Sequence, residues 1–94
     1  MNKYESVIII NPSLEDAKIK ELVEKFSKMI NENGKLEKVE DMGKKKLAYP
    51  VQKQTEAFYE VLSFEAEPAF IAELERVYRI TDEILKFIVV RKED

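Results

Sequence analysis

Few side chains in this 94-residue chain could carry chemistry, and their surroundings argue against most of it. Glu37, Glu40 and Asp41 stand close together and offer the oxygen ligands a hard cation takes. They sit among lysines, so a solvated, charged strand edge explains them better than a calcium site. Ser6, Ser13, Ser27 and Ser63 are hydroxyls without an activating base, because the chain has no histidine. The lack of histidine also removes the commonest general base and near-neutral switch, and with cysteine absent too the usual zinc ligands are missing. Two glycines are too few for a phosphate-cradling loop of the G-x-G-x-x-G or Walker type. The sequence therefore predicts no catalytic residue, metal ligand or cofactor.

Charge is the more informative chemistry. The chain carries 16 Lys and Arg against 19 Asp and Glu. The stretch GKKKLAYPVQKQT, Gly43 to Thr55, nevertheless holds four lysines and no acid. Lys44, Lys45 and Lys46 are either edge-strand protection or a contact for phosphate or a partner. The composition, 45% apolar and 37% charged, is that of a globular chain, and residues 1–94 read as a single domain. The apolar run at the N-terminus is too short for a signal peptide, and no run approaches the roughly 18–20 residues of a membrane span. A cytoplasmic protein without membrane contact is expected.

The elements that must position these residues follow from periodicity. Tyr4–Ile10 is a β-branched strand ending at Asn11-Pro12. Val7 and Ile9 face one side, Ile8 and Ile10 the other. A helix follows, with Ser13 as N-cap, Asp16 closing a capping box, and Gly34 as a left-handed stop. Its apolar stripe is Leu14, Ala17, Ile19, Leu22, Val23, Phe26, Met29 and Ile30. Lys35–Val51 is an irregular, charged edge strand, with Gly43 a bulge that resets its phase. The residues between Pro50 and Glu56 connect it as a hairpin to Glu56–Ala66. Pro68–Ile80 is a second helix with Phe70, Ile71, Leu74, Val77 and Tyr78 as its stripe, and Glu83–Lys92 is the last strand.

This βαββαβ order predicts an α+β fold: a ferredoxin-like split βαβ plait, antiparallel, strand order 4-1-3-2, both helices on one face. Two helices cover one face only. Val7, Ile9, Tyr59, Val61, Ile88 and Val90 then line a bare apolar face, which marks a contact surface. The plait also hosts RNA-recognition domains, but the third strand opens with Glu56 and has Glu60 where a base-stacking aromatic would stand, so stacking on the open face is disfavoured.

Taken together, YESVIIINP, GKKKLAYPVQK and FYEVLSFEA…RVYRITDEILKFIVVR resemble the bacterial small-ribosomal-subunit protein six family over essentially the whole chain. Gly43 through Pro50 is the most specific piece. The resemblance implies a structural, non-enzymatic protein of the 30S subunit. It implies binding to the central domain of 16S ribosomal RNA in a heterodimer with small-subunit protein eighteen, a basic neighbour. It places Lys44, Lys45, Lys46 and Tyr49 at or beside the partner, which Tyr59 and Val61 on the apolar face would join. RNA contacts would come from Lys3, Tyr4, Arg79, Lys86 and Arg91. Asn2, Lys3, Thr81 and Leu85 depart from relatives that carry arginine or another basic residue there, which bears on the RNA footprint. Other uses of the plait are a small-molecule-binding regulator and an acylphosphatase-like hydrolase. The hydrolase would need an arginine in the loop Asn11-Pro12-Ser13, which has none.

Overall fold

A computed structural model describes residues 1–51 and 53–92. Six elements run in the order β1 (Asn2–Ile10), α1 (Asp16–Asn33), β2 (Gly34–Val51), β3 (Gln54–Ala66), α2 (Pro68–Ile80) and β4 (Ile84–Lys92). The strands form one sheet ordered β2-β3-β1-β4, antiparallel throughout. This is the expected plait. β1 is central because both of its faces are apolar, and it pairs Val7 with Val61 of β3 and with Ile88 of β4.

Alternation along the strands divides the residues between two faces. Tyr4, Ser6, Ile8 and Ile10 of β1 and Leu62, Phe64 and Ala66 of β3 are buried with Ile19, Leu22, Phe26 and Ile30 of α1 and Phe70, Leu74 and Tyr78 of α2. Rings fix the centre of this layer. Phe26 meets Tyr78 edge-on at 4.8 Å, and Tyr78 lies 5.4 Å from Phe87. Ser6 and Tyr78 share a hydroxyl–hydroxyl hydrogen bond of 2.9 Å across this core.

Four local expectations change. Ser13 does not cap α1: the Asn11 side-chain oxygen accepts the Ser13 N–H at 2.9 Å, an Asx turn. That turn delays the helix until Asp16, with Glu15 at the cap and no side-chain cap bond. Ala17 is exposed, because it lies about 200° around the helix from Ile19. Gly34 is extended, φ -176°, not left-handed. Glycine serves there because a Cβ would run into the Glu65 carbonyl oxygen of β3. The hairpin is tighter than expected, with Val51 paired to Gln54 and Lys53 at φ 67°.

The bulge is where the spacing put it. The β2–β3 register shifts between Asp41 and Gly43, and Gly43 has φ 72°. The Asp41 carboxylate accepts the Gly43 N–H at 2.8 Å. One extra residue inverts the phase of the strand beyond it. Leu47, which would otherwise face the helices, turns to the open side of the sheet.

Candidate partner and nucleic-acid interface

The uncovered sheet face is built in rows across β3, β1 and β4. Val61, Val7 and Ile88 form one row; Tyr59, Ile9 and Lys86 form the next. Beyond them lie Ser63, Glu5 and Val90, then Glu65, Lys3 and Lys92. Glu5 takes an ion pair from Lys92 at 3.1 Å. Ile88 and Val90 are each 46% exposed, so the face remains wet and apolar.

The far half of β2 rises over one end of this face. Leu47 packs with Ile9 and Ala57 in a second small cluster, flanked by Tyr59 and Leu85. The Lys86 ammonium donates to the Tyr49 hydroxyl at 3.0 Å and lies 5.5 Å from its ring centre. That hydrogen bond, and then the charge of the other group, hold the Tyr49 phenol below its ordinary range and the Lys86 amine above its own. Between hairpin and sheet is a cavity of about 210 Å³, with Val7, Ile9, Leu47, Tyr59 and Ile88 among its walls.

The structure regroups the residues singled out from sequence. Tyr59 and Val61 lie on the open face, as does Val7. Lys44, Lys45 and Lys46 are exposed but do not form one patch. Lys45 pairs with Ala57 on the open side; Lys44 pairs with Phe58 on the helix side, its ammonium 5.5 Å from that ring. Lys46 pairs with Glu56. Among the residues expected at RNA, Lys86 instead contacts Tyr49, which was expected beside the partner. Lys3 lies at the end of the open face beside Lys92. Arg79, in the last turn of α2, sits over Phe87 at 5.9 Å, and Arg91 donates to the Asn2 side-chain oxygen at 3.3 Å. Both arginines are therefore on the helix side along β4. Tyr4 is a core residue: it is 7% exposed and stacks on Phe64 at 5.8 Å.

Two further placements escaped the sequence. Glu60 points toward α1 rather than the open face, is 3% exposed and stands opposite Asp41. It therefore has no bearing on base stacking. Thr81 is buried and donates to the Val77 carbonyl at 2.6 Å, closing the end of α2. Its position after a helical stripe was the available signal. Among the described residues no group of three or more acids, histidines or cysteines is placed to hold a metal, and no helix is long and apolar enough to cross a membrane.

Fold and face together define a ferredoxin-like plait with one sheet face uncovered by its helices. The Ribosomal protein S6 family profile matches residues 3–91. The chain is 45% identical to the small ribosomal subunit protein bS6 of Clostridium novyi, covering 99% of each chain. It is 42% identical to that of Heliobacterium modesticaldum, covering 100% of this chain and 99% of the relative. The crystal structure of 30S ribosomal protein S6 from Thermotoga maritima superposes with a TM-score of 0.92 at 39% identity, covering 97% of this chain and 87% of that one. The chain belongs to the Ribosomal protein S6 family.

Proposed function

We propose that the chain is a structural constituent of the small ribosomal subunit, working in the cytoplasm. In this reading it binds the central domain of 16S ribosomal RNA together with small-subunit protein eighteen. The observation that carries the reading is the row Val61–Val7–Ile88, left bare beside the raised Leu47–Tyr49 segment. A wet apolar surface of this kind favours a partner that removes it from water. The names of the relatives support a place in the small ribosomal subunit, and the RNA domain and protein eighteen follow from what the sequence resemblance implies. With net charge -3 the chain approaches phosphates poorly by itself, so a basic partner must carry much of the neutralisation. Lys45, Tyr49, Tyr59, Val61 and Lys86 belong to the partner surface. Lys3, Arg79 and Arg91 are left to meet RNA, and Lys44 and Lys46 flank the docking edge.

The test replaces Val61 by Asp. Val61 is half-buried in the free chain, so the domain still folds. In the complex the carboxylate is desolvated, at roughly 2–4 kcal/mol, which weakens the heterodimer about 30- to 1000-fold. Heterodimer affinity measured by calorimetry on a folded variant decides it, and undiminished affinity refutes docking on this face. Filter binding of the three-component complex over a salt series tests the arginines. Arg79→Ala with Arg91→Ala should flatten the slope of log affinity against log salt by roughly 1.4–1.8 if each neutralises one phosphate.

A further inference from the structure

Glu60 lies under α1 on the helix side of β3, 3% exposed, with Asp41 of edge strand β2 as its cross-strand partner. Both line a groove of about 440 Å³ between α1 and the β2–β3 pair. α1 adds Asp16, Glu24 and one cation, Lys20, to its walls, and Ile19 and Val23 make the rest of that side apolar. On the strand side Val39 and Phe58 are apolar, and the Lys44 ammonium sits over the Phe58 ring. β1 offers Glu60 only Ile8 in register. No ion pair to Glu60 or Asp41 occurs among the described residues. Glu60 is buried while Asp41 reaches solvent, so Glu60 carries the desolvation penalty and the facing carboxylate adds like charge to it; both favour the protonated Glu60.

Asp41 has a second task. Its carboxylate oxygen holds the Gly43 N–H at 2.8 Å, the contact that stabilises the bulge. The bulge sets the phase of everything beyond it in β2. We infer that protonated Glu60 and the facing Asp41 act as a proton-operated clasp, which anchors the Gly43 bulge and so the placing of Leu47 and Tyr49 on the open face. With the proton present, the Glu60 carboxyl donates to Asp41, and Asp41 is held where it can also accept from Gly43. With the proton lost from Glu60, the two facing charges repel, Asp41 swings away from Glu60, and the bulge loses its side-chain acceptor. Burial first, and then the Asp41 charge and hydrogen bond, push the Glu60 carboxyl up to about 7, which places the switch near neutrality. The clasp stands independently of what docks on the open face.

Nuclear magnetic resonance on the whole chain tests it. The Glu60 side-chain carboxyl carbon and the Gly43 amide should titrate with one common midpoint near pH 7, and the Leu47 amide should shift with them. Asp41→Asn keeps an oxygen for Gly43 but removes the facing charge, so the Glu60 midpoint should fall, though burial still holds it above the ordinary range. Glu60→Gln should abolish the neutral titration of Gly43 in a folded protein. A Glu60 midpoint in the ordinary range near 4.5 overturns the clasp. So does a Gly43 amide that stays still through the Glu60 titration, or a midpoint indifferent to Asp41→Asn.

Discussion

Removing either hydroxyl of the Ser6–Tyr78 pair should cost more than the bond itself contributes. Ser6 is fully buried and Tyr78 is 1% exposed, and the hydroxyls are 2.9 Å apart. They join residues 72 apart in sequence, fastening central strand β1 to helix α2. Ser6→Ala strands the phenol in a site enclosed by Phe26 and Phe87. An unsatisfied buried donor costs about 1–3 kcal/mol, whereas the net value of the bond is about 1 kcal/mol. Tyr78→Phe strands the serine at a similar cost. The double variant leaves neither group orphaned, so it should be less destabilised than the sum of the singles by about 1–2 kcal/mol. For a chain of this size each kcal/mol moves the thermal midpoint by about 4–8 °C. Urea unfolding of the four proteins at constant pH measures the cycle. Strict additivity, or single variants within about 0.3 kcal/mol of the wild type, would refute the reasoning. A related sign follows at high pH. Burial pushes the Tyr78 phenol up to about 12 against the hydrogen bond from Ser6, so the folded state holds its proton more tightly than the unfolded state. Stability should therefore fall as pH rises from about 10 to 12.

The remaining predictions can be read by the same unfolding assay. Phe26→Ala should cost about 3–5 kcal/mol, because the ring is fully buried against Tyr78. Lys25→Ala, one residue away and exposed, should change stability by less than about 0.5 kcal/mol despite its position over that ring. Gly34→Ala should destabilise more than Gly43→Ala. The first drives a Cβ into the backbone of β3, while the second meets open space and bears only the strain of φ 72°, about 1–2 kcal/mol. For Glu60 the folded value, about 7, lies above the ordinary 4.5. Its contribution is thus fully present below about pH 4.5 and is lost as pH rises to 7, by up to about 3 kcal/mol. Glu60→Gln should flatten that slope and be the more stable protein at pH 8.

Local signals in the chain determined the elements and their order. The β-branched run of β1, the three-and-four spacing of α1 and α2, and Pro68 at the first turn of α2 act within a few residues of one another, so they are visible without the fold. Right-handed crossovers then left one economical topology, and the bare face followed from having two helices for a two-sided sheet. The phase change at Gly43 was also legible, since a glycine interrupting a broken alternation has few other uses in a strand. What tertiary structure decided was every property that depends on a partner far along the chain. Ser6 read as an idle hydroxyl until Tyr78 stood over it. Lys86 and Tyr49 fell into different groups until the hairpin curled across the sheet. Gly34 needed no special dihedral, only the approach of Glu65. Alternation already put Glu60 on the side opposite Tyr59 and Val61, but only the register of β2 against β3 set Asp41 opposite it. Periodicity reports which residues share a face, but only packing determines what that face meets, and burial and the nearest charge then set the chemistry.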